Sequence, residues 1–118
     1  MHSEEGLSGE EFVHVAPKQF AEFIAEHGLD PRRTGGRVYV TKQRYLAGRS
    51  LRDLESMLYK KSLRLEKAGY FASGGAVKVV LPATIEAVYR GMTTRPGGVP
   101  QWTYEGPVLQ NLRIVEVQ

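Results

Sequence analysis

The stretch SLRDLESMLYKKSLRLEKAGYFASGGAVKVVL, residues 50–81, decides how the chain is read. Ser50 offers a hydroxyl to cap a helix, Asp53 follows three residues later as a weaker capping box, and Gly69 closes the segment. At 100° per residue Leu51, Leu54, Leu58 and Leu65 share one narrow arc, while Arg52, Lys60, Arg64 and Lys67 gather on the far side. One face seeks a core and the other seeks anions or water. Leu63 on the basic side and Lys61 beside the apolar arc depart from this pattern, which either a kink near Tyr59 to Ser62 or a partner surface accounts for. Tyr70 to Ala72, the turn Ser73-Gly74-Gly75 and the run Ala76 to Leu81 then read as a β-hairpin from which Lys78 projects.

Upstream, residues 1–11 are small, polar and acidic, too poor in apolar groups to offset the entropy of ordering them, and are expected to form a flexible arm. Phe12 to Val15 alternates as a short strand. Pro17 suits a first helical turn, and Phe20, Phe23 and Ile24 recur at i, i+3, i+4 before Gly28, which predicts a helix over about 17–27 with an aromatic inner face. Asp30 to Gly36 reads as a loop and Arg37 to Val40 as a second strand. Downstream, Pro82 is expected to open a helix carrying Ile85, Val88 and Tyr89 and ending at Gly91. A Gly/Pro/Thr loop over 92–101 leads to strands at Trp102 to Tyr104 and Leu112 to Val117, with turns at Gly106-Pro107 and Gln110-Asn111.

Charge is sorted along this pattern. Residues 1–30 carry one Lys or Arg against seven Asp or Glu, residues 31–95 carry fourteen against four, and residues 96–118 carry one against two. The net of +3 therefore conceals a strongly basic middle, a field of the kind that gathers a polyanion, most often nucleic acid. Glu4, Glu5, Glu10 and Glu11 are placed to fold over that region and compete with phosphates.

The end of the basic helix and the hairpin after it, Leu63 to Phe71 followed by Gly74-Gly75 and Val77 to Leu81, resemble the recognition helix and β-wing of winged-helix DNA-binding domains. The resemblance implies a small α+β domain over residues 12–118, winged-helix-like, with about three helices, β-hairpins and C-terminal strands. It places Lys60, Lys61, Arg64 and Lys67 on a DNA-facing helix and Ser73, Gly74, Gly75 and Lys78 on a wing. Val13 to Phe23 followed by Gly35 to Val40 is similar to the excisionase-type DNA-binding domains, which belong to the same functional class.

The implied function is non-enzymatic binding of nucleic acid, foremost double-stranded DNA, by a regulator or accessory factor of transcription, recombination or replication, with a homodimer as a further expectation. Affinity would come from Arg32, Arg33 and Arg37 as well as from the helix, where Arg52 and Arg64 are the candidates for reading guanine. Tyr39, Tyr45, Tyr59 and Tyr70 either stack on unpaired bases or pack inward. The competing reading is an assembly or inhibitor module that offers strands 102–117 to a partner protein through Trp102, Tyr104, Leu112, Ile114 and Val115. His2, His14 and His27 lack metal-ligand spacing, the absence of Cys removes thiolate chemistry, and no Gly pair is followed by the Lys-Ser or Lys-Thr of a phosphate loop. No catalytic residue, metal, cofactor or small-molecule ligand is therefore expected. No apolar run approaches the roughly 18 residues of a membrane span, so a cytoplasmic protein, or a virion-associated one if viral, is expected.

Overall fold

Every residue of the strand Ala76–Leu81 is buried, and the rest of the molecule is arranged to bury it. The computed structural model describes residues 7–50, 53–54, 75–92 and 98–117. In chain order the strands are β1 (Phe12–Pro17), β2 (Val38–Lys42), β3 (Ala76–Leu81), β4 (Ala87–Met92), β5 (Pro100–Tyr104) and β6 (Arg113–Glu116), with one complete α-helix among the described residues, α1 (Ala21–His27). All strands join one antiparallel sheet in the order β4-β5-β2-β1-β3-β6.

Strand alternation divides the core into two layers. On one face Phe12, Ala16, Val38, Val40, Val77, Val79, Leu81 and Tyr104 pack with Ile24 of α1 and Leu29. On the other, Val13, Ala76, Val80, Val99, Val115 and Val117 pack with Leu46 and Leu54, both fully buried. An antiparallel strand that is apolar at nearly every position needs cover on both faces, and α1 on one side with Leu46 and Leu54 on the other supply it. Gly28 ends α1 at φ 76°, where a Cβ would lie 2.1 Å from the Leu109 carbonyl oxygen. Only glycine permits that approach, which sets up the Leu29–Leu109 bridge.

This architecture overturns the winged-helix and helix-turn-helix expectation, since the described residues build a six-stranded antiparallel sheet with one complete α-helix. Both hydrogen-bonding edges of β3 are taken, one by β1 over Phe12↔Leu81 to Pro17↔Ala76 and the other by β6 over Val77↔Glu116 to Val80↔Arg113. The strand therefore cannot be the second arm of a wing; the proposed first arm, Tyr70 to Ala72, and most of the predicted helix 50–68 lie outside the described residues. At the start of that helix Asp53 and Leu54 are helical, and the Ser50 hydroxyl accepts the Asp53 N–H at 3.1 Å as its capping role requires.

The helix expected over 82–91 is instead a turn and β4. The i, i+3, i+4 spacing of Ile85, Val88 and Tyr89 competes there with β-branched and aromatic side chains, and pairing with β5 through Ala87↔Tyr104, Val88↔Thr103 and Tyr89↔Trp102 decides for the strand. Helix 17–27 forms as the 3-10 turn Lys18–Phe20 followed by α1, while Pro17 ends β1. Its orientation differs from the expected one: Ile24 faces the core, and Phe20 and Phe23 are each 45% exposed. The predicted strands at 12–15, 37–40, 102–104 and 112–117 all form. In the partner-binding reading Tyr104 and Val115 were to be contact residues, but both are core, and Trp102, Leu112 and Ile114 pack against it.

Candidate nucleic-acid interface

Between α1 and β2 the chain makes an arginine-rich turn in which every residue from Arg32 to Arg37 is exposed. Pro31 starts the 3-10 turn Pro31–Thr34, and Asp30 caps it by accepting the Arg32 N–H. The Asp30 carboxylate also holds the Arg32 side chain in a fork, accepting from Nε at 3.0 Å and Nη2 at 2.9 Å. These hydrogen bonds with Arg32 keep the Asp30 carboxyl below its usual range, opposed by partial desolvation. Thr34 Oγ1 donates to the Pro31 carbonyl at 3.1 Å and lies 2.5 Å from that of Arg37, tying the two ends of the turn.

The three arginines differ in their partners. Arg32 is bound to Asp30, and Arg37 Nε lies 3.9 Å from Glu105. Arg33 has no carboxylate within ion-pair distance among the described residues; its guanidinium lies 5.3 Å from the centroid of the exposed Phe23 ring. Phe23 in turn contacts His27, with ring centroids 4.5 Å apart. Tyr39, two residues after Arg37, is 44% exposed on β2. The turn thus presents three guanidinium groups with the solvent-facing Phe23 ring beside Arg33, while Tyr39, between Val38 and Val40, lies on the sheet face opposite α1.

Of the other expected contact residues, Arg52, Lys60, Lys61, Arg64, Lys67, Ser73 and Gly74 lie outside the described residues. Gly75 is half-buried, and its carbonyl accepts the Lys18 N–H at 3.0 Å. Lys78 does not project: it is 1% exposed on the same face as Ala76 and Val80, with Nζ donating to the Leu46 carbonyl at 3.4 Å. Alternation along β3 requires this orientation once both faces are covered.

Two arrangements join residues far apart in sequence, and the first sets Glu10 against cations of the basic middle, as expected of the acidic arm. Glu10 bridges Lys42 Nζ and Arg44 Nη1, each at 2.8 Å, and the Lys42 hydrogen bond followed by the Arg44 charge lowers its pKa. Backbone bonds from Arg44 to the Gly9 carbonyl and from Gln43 to that of Glu11 fasten this end of the arm to β2. On the opposite side Glu105 accepts Arg90 Nη2 at 2.6 Å and shares Thr103 Oγ1 with Arg90 Nε. The Arg90 and Thr103 hydrogen bonds hold its carboxyl below the usual range. Charge sorting gives the first only in outline, without its partners 32 and 34 residues away, and the second, 15 residues apart, has no sequence signal.

His14 occupies a particular place in the sheet. The β1–β2 ladder covers only Phe12↔Lys42 and Val13↔Thr41, whereas β1 pairs with β3 along its full length. Just past the last β1–β2 pair, His14 Nδ1 lies 2.8 Å from the Tyr39 carbonyl oxygen. An acceptor there requires the Nδ1–H form, so the imidazole satisfies a carbonyl the ladder does not reach. Loss of hydration lowers the His14 pKa, outweighing the opposite effect of the Tyr39 carbonyl, and the ring is neutral at pH 7.

Among the described residues no three His, Cys, Asp or Glu side chains are grouped to hold a metal ion, and no helix is long and apolar enough to cross a membrane. Comparison with protein-family models, with curated proteins and with solved structures finds no match.

Proposed function

We propose that the chain binds nucleic acid without turnover, through the arginine turn and the Phe23 ring beside it, as an accessory factor in a process that exposes unpaired bases. The observation that carries this reading is Arg33: exposed, in no ion pair among the described residues, and with its guanidinium over a ring that is itself open to solvent. Arg32 and Arg37 add phosphate-binding charge, and guanidinium forks suit phosphate oxygens as well as they suit carboxylates. Phe23 provides a π-face for a base that is not already stacked in a duplex, a mode that tolerates any sequence. Single strands are therefore the favoured form, in place of the groove-reading duplex binder that a wing and recognition helix would imply.

Fluorescence anisotropy with a labelled 20-nucleotide single strand and the matching duplex, at two salt concentrations, tests the proposal. The triple variant R32A/R33A/R37A is expected to weaken single-strand binding more than tenfold and to reduce the salt slope by about 2, at roughly 0.7 per phosphate contact. Phe23→Ala is expected to cost single-strand affinity about fivefold or more and to leave duplex affinity nearly unchanged. Absence of wild-type binding at low salt overturns the reading.

A further inference from the structure

β4 is an edge strand with Arg90 as its one charged residue, and its apolar Val88, Tyr89 and Met92 are 50%, 56% and 57% exposed. Unpaired N–H and C=O groups on such an edge are a template for another strand. The order of residues specifies which strand fits. If two copies of β4 pair antiparallel about a two-fold axis at Val88, each Val88 faces its symmetry mate and Ala87 faces Tyr89 of the second copy. The same register sets Glu86, immediately before β4, opposite Arg90 of the second copy, and repeats that pair on the other side of the axis.

We infer that β4 is the homodimer contact of this protein, formed by edge-to-edge pairing of residues 86–90 with the Glu86–Arg90 pair made twice across the axis. The large Tyr89 ring lies against Trp102, with centroids 5.4 Å apart, and meets the small Ala87 of the second copy. Val88 and the charged pair occupy the opposite face, where cross-strand neighbours interact most closely. Arg90 gives Nε and Nη2 to Thr103 and Glu105, and a guanidinium with five N–H donors keeps others for a second carboxylate. The pairing register with β5 shifts between Tyr89 and Met92, and Gly91 takes φ 88° there. That bulge ends the regular edge, confines the contact to about five residues and makes the dimer a weak one, in the range of about 10–100 µM.

Sedimentation velocity over a concentration series, on the full chain, tests the inference. Glu86→Arg and Arg90→Glu each oppose like charges twice, and each is expected to raise the dissociation constant about tenfold or more; the double variant E86R/R90E restores opposite charges and is expected to recover the wild-type value. Val88→Lys sets two ammonium groups against each other at the axis of a half-exposed position and is expected to give a folded monomer, with folding checked by circular dichroism. A wild-type protein that stays monomeric to about 1 mM overturns the inference. So does a V88K protein that still dimerises, which would assign association to another surface, or an E86R/R90E protein that stays as weak as the single variants.

Discussion

β3 and β4 are both six residues long and both begin Ala-Val, yet one is buried at every position and the other is largely exposed. β3 lies between β1 and β6 with a layer on each face; β4 forms one edge of the sheet with only β5 beside it. Each carries one cation. Lys78 is enclosed, with its stem among Ala76 and Val80, while Arg90 remains on the surface and forms a charged cluster with Glu105 and Thr103. A strand's surroundings follow from its neighbours in the sheet more than from its own opening residues.

Substitutions can break this contrast, beginning where the effect is largest. Leu81→Ala in β3 removes a fully buried side chain from the α1-side core and is expected to cost about 2–5 kcal/mol in urea unfolding. Lys78→Ala is expected to cost about 2 kcal/mol through lost packing and the lost Leu46 hydrogen bond, with no change in the salt slope of nucleic-acid binding; a reduced slope would mean that the ammonium reaches a phosphate.

The strand beside β3 provides a pH test. His14 has a folded pKa below its ordinary value of 6.5, so its contribution to stability is present above pH 6.5 and is lost as pH falls towards the folded value. Wild-type protein is expected to lose stability between about pH 7.5 and about pH 5.5, and His14→Gln is expected to flatten that part of the pH profile. Equal pH slopes in the two proteins would remove His14 from the account. At the small end, Val88→Ala in β4 is expected to change stability by less than about 0.5 kcal/mol, since a half-exposed edge side chain leaves no cavity.

Much of the strand pattern was legible. Phe12 to Val15, Arg37 to Val40, Trp102 to Tyr104 and Leu112 to Val117 carry β-branched and aromatic residues bounded by turn formers, and each became a strand. The run Ala76 to Leu81 was legible as a strand, but its near-continuous apolar character, a mark of burial on both faces, was subordinated to a likeness with a wing. Ile85 to Tyr89 fitted two periods at once, and only the presence of β5 could choose between them. α1 was placed correctly along the chain and turned the wrong way round, because two Phe residues and one Ile compete for a narrow face and the sheet accepts the Ile. The arginine turn was legible as a basic loop from Asp30 to Gly36, whereas the stacking of Arg33 on Phe23 was not, since it depends on how α1 sits.

By itself the amino-acid order determined where most of the strands and turns fall, that charge is concentrated in the middle of the chain, and that thiol chemistry and the common metal motifs are excluded. These are local or compositional properties, set by side-chain shape, backbone preference and the count of ionisable groups. Only the tertiary structure decided that β3 is interior and β4 an edge, that Lys78 is buried while Arg33 is open, and that Glu10 and Glu105 each bind two cations distant in sequence. Burial and pairing are relations between segments, and their free energy is realised only when the sheet assembles and removes both partners from water.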